Sequence, residues 1–236
     1  MTNSNSIPQN PINKLLLEAK NISHNFDYPL FENINLSLSE NETIAIIGAS
    51  GCGKSTLLNI FCSLLKPLSG EIYFKEKNIF EISQSEMLKL RRDDFGIIFQ
   101  AHYLFRGFSA NENLHIAELL SENNVSEDLM KALDISHVLT QGIGELSGGQ
   151  QQRLSIARVL TKSPKIIFAD EPTGNLDQNT ASEVMKVMFE YVSKQNAGMI
   201  LVTHDEKIAY SCDKVYKLIN QQLERVKWQI LYYYQN

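Results

Sequence analysis

The string Gly48-Ala49-Ser50-Gly51-Cys52-Gly53-Lys54-Ser55-Thr56 constrains this 236-residue chain more than any other feature. Its first eight residues have the spacing of a phosphate-binding loop, a match that counts only between a buried strand and a helix. Both flanks are present. Thr43-Ile44-Ala45-Ile46-Ile47 runs into the loop, and a helix-like stretch from Lys54 to Leu65 leaves it. Glycines let the backbone turn tightly and aim several N–H groups at phosphate oxygens, and the helix start adds the positive end of its dipole. In such a cradle Lys54 is expected on the outer phosphates, Ser55 on a magnesium ion and Thr56 near the innermost phosphate. A ligand-free glycine-rich turn is the alternative, and the strand–loop–helix context argues against it.

Four short apolar runs, Ile44–Ile47, Gly96–Phe99, Lys165–Ala169 and Met199–Thr203, read as strands buried on both faces of a parallel sheet. Helical stretches between them, Lys54–Leu65 and Gln150–Leu160, complete an alternating α/β core. Leu15–Ala19, Ile34–Leu38 and Glu71–Phe74 read as further strands, some in an antiparallel patch. Between about Ala101 and Arg153 polar turns and helical periodicity replace the strand pattern, which predicts a helical subdomain inserted into the core. The Asn/Ser/Gln/Pro-rich residues 1–13 read as a flexible leader, 14–220 as the main domain and 221–236 as a tail. That tail carries Trp228 and Tyr232–Tyr234 and is expected to be a closing strand or helix, or a partner contact.

Two further strings bear chemistry. Lys165-Ile-Ile-Phe-Ala-Asp170-Glu171 delivers two carboxylates to the carboxyl end of a buried strand, where ligands of open α/β sheets gather. Asp170 is placed to hold the magnesium shell, and Glu171 to orient or deprotonate a water. Alone, the pair also reads as a solvated acidic turn. Leu146-Ser147-Gly148-Gly149-Gln150 is harder to explain away, because that five-residue string arises by chance in on the order of one chain in a few thousand. Its glycines precede an amphipathic helix, so Ser147 and the following N–H groups form a second anion cradle. One active site does not need two.

These residues, in this order, resemble the ATP-binding cassette ATPases over about Leu15 to Leu218. The resemblance implies a P-loop NTPase (RecA-like) core with an antiparallel β subdomain and an inserted α-helical subdomain. It implies ATP hydrolysis with Mg²⁺, and a homodimer formed on ATP binding in which each Ser147–Gln150 cradle closes the partner's nucleotide site. Gln100 matches the glutamine that contacts Mg²⁺ or water and links the core to the helical subdomain. Gly174-Asn175-Leu176-Asp177 matches the loop crossing the dimer interface, with Asp177 its fixed acid. His204 matches the histidine that contacts the terminal phosphate. Phe26 sits at the adenine-stacking position, with Tyr28 a close competitor. His24, His102, His115 and His137 match no motif and suit surface or packing roles. Many members carry a proline shortly before Leu146; the segment here, Gly142-Ile-Gly-Glu145, predicts a looser turn.

Leu90–Gln100 and Asp170–Asp177 resemble a bacterial group of lipoprotein-release, macrolide-efflux and FtsE-type ATPases. Membership implies an integral membrane permease-type subunit as partner, docked beside Gln100. Tyr103, Leu104, Phe105 and Phe108 either line that groove or fill the subdomain core. The alternative role within the group is an ATP-gated scaffold in cell division. A net charge of −5 argues against a general nucleic-acid binder. The 91 residues between Lys54 and Leu146 leave no room for a DNA-repair coiled coil, and only one cassette is present, unlike the ribosomal type. Cys52, Cys62 and Cys212 have no metal-ligand spacing and read as reduced thiols. Without an apolar run of membrane-spanning length or a signal peptide, the expected location is cytoplasmic, peripheral on the cytoplasmic face of the inner membrane.

Overall fold

A computed structural model describes residues 14–226, so the expectations for residues 1–13 and for the aromatic end of the tail lie outside the described residues. The phosphate loop joins strand β3 (Glu42–Gly48) to helix α1 (Lys54–Phe61). β3 lies within a six-stranded sheet ordered β10-β9-β3-β8-β7-β6. Its partners are β6 (Phe95–Ile98), β7 (Ile166–Asp170), β8 (Gly198–Val202), β9 (Lys214–Ile219) and β10 (Gln222–Arg225). All neighbours pair in parallel except β10, which runs antiparallel to β9.

Successive side chains on a strand point to opposite faces, and here both faces are covered. Ile44, Ile46, Ile166, Phe168, Ile200 and Val202 pack toward α1 and a second sheet. Ala45, Ile47, Ile167, Ala169, Met199 and Leu201 pack toward helices on the other side. This double burial is why the strands read as unbroken apolar runs. The second sheet is antiparallel, ordered β2-β1-β4-β5, from β1 (Leu15–Asn25), β2 (Pro29–Ser39), β4 (Ser69–Phe74) and β5 (Lys77–Asn78). Phe95 bridges the two sheets, edge-on to Phe74 at 5.2 Å and to Phe168 at 5.0 Å. Such aromatic pairs contribute about 0.5–1.5 kcal/mol each beyond the area they bury.

Helix α2 (Gln84–Asp93) precedes β6. The insertion between β6 and β7 holds α3 (Ala110–Ser121), α4 (Glu127–Ala132), two 3₁₀ turns and α5 (Gly148–Thr161). The expected boundary at Arg153 falls inside α5, which continues without a break from the insertion into the core. Helices α6 (Gln178–Gln195) and α7 (Glu206–Tyr210) follow β7 and β8.

The fold departs from expectation at particular points. α1 stops at Phe61 rather than Leu65: Ser63 adopts a φ of 66°, and the N–H groups of Leu64 and Leu65 both donate to Asn59 O. β6 and β8 each begin one residue earlier than their apolar runs suggested. The Gly142–Glu145 turn is not loose. Gly142 N donates to Glu145 Oε2 at 2.9 Å, Glu145 N to Gly142 O at 2.9 Å and Leu146 N to Ile143 O at 3.3 Å. The tail begins as a strand, because Asn220 and Gln221 both take positive φ (48° and 63°), the geometry of a tight hairpin turn.

Candidate active site

β3 ends by aiming the phosphate loop out of the carboxyl edge of the sheet. Gly53, the residue before α1, holds φ 103°, a conformation side chains oppose. A Cβ at Gly48 would stand 2.7 Å from Leu218 O, so the loop also needs glycine where it leaves the sheet. Lys54 folds back, its Nζ donating to Gly48 O and Ala49 O, each at 2.9 Å. Its ammonium therefore sits inside the curl of the loop, where phosphate oxygens would replace these carbonyls.

One strand away, β8 lies between β3 and β7, and β7 carries the carboxylates. Ser55 Oγ donates to Asp170 Oδ1 at 3.1 Å. Partial burial pushes the Asp170 carboxyl above its ordinary value, and the Ser55 hydroxyl opposes that rise. Glu171 turns sharply out of the strand with φ 47° and donates its N–H to Val202 O at 2.9 Å. Its carboxylate is then gripped from β8's end: His204 Nδ1 lies 2.8 Å from Oε1, and Thr203 Oγ1 donates to Oε2 at 3.2 Å. A left-handed glutamate is uncommon and costs on the order of 1 kcal/mol. The two contacts hold its carboxylate beside an imidazole that is itself exposed.

Ser55 and Asp170 offer hard oxygen donors side by side, the kind that suit Mg²⁺. Among the described residues no cluster of three His, Cys, Asp or Glu side chains could hold an ion alone. A magnesium held by Ser55 and Asp170 would take its remaining ligands from nucleotide phosphates and water. Gln100 leaves β6 two residues beyond Ile98, which pairs with Ala169, so it emerges at the same sheet edge as Asp170 and is exposed. Thr56 lies on α1's first turn. Phe26 and Tyr28 are 58% and 59% exposed in the β1–β2 hairpin. Phe26 meets the buried His24 ring edge-on at 4.9 Å. Tyr28 lines a shallow cavity of about 190 Å³ with Gly51 and Cys52, so both aromatics stay candidates on exposure.

The second cradle is built on another element. Ser147 caps α5: its Oγ accepts from Gln150 N at 3.2 Å, and its own N–H donates to Gln150 Oε1 at 2.8 Å. Gly149 is crowded, since a Cβ there would lie 3.1 Å from Leu176 Cδ2. Asp177 caps α6, accepting from Asn179 N, Thr180 N and Thr180 Oγ1. Those bonds, the Thr180 hydroxyl foremost, hold its carboxyl below the ordinary range. Among the described residues, no hydrogen bond joins 146–150 to 48–56; the cradle's neighbours are α5 and the 174–177 loop. Sequence reasoning missed His102, whose Nε2 accepts from Asn175 Nδ2 at 3.2 Å. It also passed over Thr203 as a strand residue. Neither contact has a local signal, because each joins residues far apart in the chain.

A phosphate loop after β3, a carboxylate pair at the end of β7 two strands away and a second anion cradle on an inserted helical lobe define an ATP-hydrolysing cassette. Residues 31–174 match the ABC transporter family model. The lipoprotein-releasing system ATP-binding protein LolD of Geobacter metallireducens is 39% identical over 197 residues, covering 81% of this chain and 88% of that one. LolD of Rickettsia bellii is 39% identical over 214 residues, covering 86% and 95%. A dimeric structure of a post-hydrolysis state of the ATP-binding cassette MJ0796, bound to ADP and Pi, superposes with a TM-score of 0.81 at 31% identity, covering 89% of this chain and 97% of that one. The chain belongs to the ABC transporter family, as an ATPase subunit.

Proposed function

We propose that two copies of this chain hydrolyse ATP at shared sites and that the resulting movement drives a membrane partner in lipoprotein release. The observation that carries the catalytic part is the carboxylate of Glu171, held by His204 and Thr203 one residue after Asp170 bonds Ser55. In-line attack of water on the terminal phosphate needs little covalent help from protein; positioning and electrostatics do most of the catalysis.

Each group then has a task. The loop N–H groups from Gly48 to Thr56 and the Lys54 ammonium bind the triphosphate. Ser55, Asp170 and Gln100 hold Mg²⁺, which neutralises phosphate charge when bound. Glu171 orients the water and takes its proton, and His204 fixes both Glu171 and the terminal phosphate. Phe26 stacks on adenine. Ser147, Gly148, Gly149 and Gln150 close the other copy's site, and Asp177 pins the loop between them by capping α6. That the second cradle is built on a different element, the head of α5 beside the 174–177 loop, supports this sharing.

The lipoprotein-release reading rests on the names of the LolD relatives. Among the described residues no helix is long and apolar enough to cross a membrane. By the same likeness to the LolD relatives, the chain works from the cytoplasmic face of the inner membrane, bound to a permease-type subunit. Residues 101–153, the inserted lobe, supply the dock. Tyr103, Phe105 and Phe108 are 66%, 51% and 42% exposed, which favours a docking surface over a buried core. The test is to reconstitute the chain in lipoprotein-bearing vesicles with candidate permease-type membrane subunits. ATP-dependent release of lipoprotein is expected; stimulated ATP turnover with no release would refute the cargo and leave the ATPase.

A further inference from the structure

His102 sits where three parts of the molecule meet. Its backbone carbonyl is fastened to α5, accepting from the buried Ser155 Oγ at 3.1 Å and from Arg158 Nη2 at 3.4 Å. Arg158 also donates to Tyr103 O at 2.8 Å and places its guanidinium 5.8 Å from the Phe105 ring. The His102 imidazole reaches the other way and accepts from Asn175 Nδ2 at 3.2 Å. Asn175 is exposed, and His102 is the one side chain its amide bonds among the described residues. The loop holding Asn175 hangs from the catalytic carboxylate's own residue, with Gly174 N donating to Glu171 O at 3.2 Å. On its far side Leu176 abuts Gly149, at the head of α5. The contacts close a ring: α5, His102, Asn175–Leu176, and α5 again.

We propose that His102 is a positioning residue that braces the 174–177 loop against α5, so that displacement of the exposed aromatic segment 103–108 reaches both Glu171 and the second cradle. The proposal rests on the shared-site reading above and adds the route by which a docked partner would govern it. The backbone of the loop is fastened at Gly174, Leu176 and Asp177, but the exposed Asn175 side chain has His102 as its one side-chain partner among the described residues. Without that bond, the Asn175 side chain is ordered only when two copies meet. Ordering one extra side chain on each of two copies weakens ATP-driven pairing by about tenfold.

The test compares variants in a Glu171→Gln parent, which retains bound ATP. Pairing is measured by analytical ultracentrifugation with Mg-ATP, and single-chain affinity by a fluorescent ATP analogue. His102→Leu should pair about tenfold more weakly, while nucleotide affinity stays within about twofold. His102→Gln keeps an acceptor of similar reach and should restore pairing, which a loss through general destabilisation would not predict. Asn175→Leu, on the exposed loop, should repeat the defect, and the double variant should add nothing to either single one. Unchanged pairing by His102→Leu, or additive losses, would overturn the brace. A parent that forms no ATP-bound pairs overturns the shared site itself and the proposal with it, a result distinguishable from either.

Discussion

Replacing Glu171 with Gln removes a charge and almost no volume. The carboxylate is 14% exposed, lies 2.8 Å from His204 Nδ1 and accepts from Thr203 Oγ1 at 3.2 Å. The amide keeps one oxygen, enough to serve one of these partners. Thr203 Oγ1 already accepts from Asp205 N at 3.0 Å and can turn to accept from the new amide as well. The φ of 47° at this position is unchanged by the swap. At most one ordinary hydrogen bond is lost, about 1 kcal/mol, so melting should shift by about 2–4 °C. Turnover should fall far more, by about 100- to 10,000-fold, the range that a positioned general base contributes. Phosphate release at saturating Mg-ATP, melting, and binding of a fluorescent ATP analogue separate the two effects. A variant that keeps more than a tenth of parental turnover, or loses ATP binding in step with it, would refute the role given to Glu171.

Three other outcomes follow from the same geometry. Burial pushes the Cys62 and Cys212 thiols up to about 12, so native protein should take one maleimide label per chain, at Cys52. Saturating Mg-ATP should block it, and an unchanged labelling rate would separate Cys52 from the nucleotide. Asp170 has a raised carboxyl, so the native state binds its proton more readily than the unfolded chain does. Stability from this group is therefore greatest below the ordinary carboxylate range and declines as pH rises through the raised value. Asp170→Asn should remove that decline, raising neutral-pH melting while turnover is lost; a lower melting point across the whole pH range contradicts it. Phe105→Ala and Phe108→Ala, at exposed sites, should change stability by about 0.5 kcal/mol or less and leave basal turnover intact. Partner stimulation should weaken, whereas loss of soluble protein would return these rings to the core.

The parallel sheet was legible in the sequence because double burial leaves long apolar words, and the phosphate loop because glycine spacing is itself the structure. Other elements announced themselves and went unread. Ser83 with Glu86 and Ser109 with Glu112 are reciprocal helix caps that start α2 and α3, and Asp177 caps the 18-residue α6. A Ser-x-x-Glu spacing marks a helix start, because each side chain caps a backbone N–H of the other residue. His102 was beyond reach for a different reason. Its partner Asn175 is 73 residues away, and nothing local distinguishes it from His115, which pairs with Glu118 on its own helix. The end of α1 turned on a left-handed Ser63, a conformation no propensity assigns to serine. Elements set by local chemistry can be read from a sequence; contacts set by topology cannot.

The direct test of two copies completing one site is complementation. Lys54→Ala disables the phosphate loop. Ser147→Glu, at an exposed position, sets a negative charge against phosphate in the second cradle. Each variant alone should be inactive. Mixed in equal amounts with Mg-ATP, half the random pairs hold one intact site made from the two unaltered halves, and phosphate release should recover to about a quarter of the parental rate. A mixture no more active than its separate components would mean that each chain works with its own cradle.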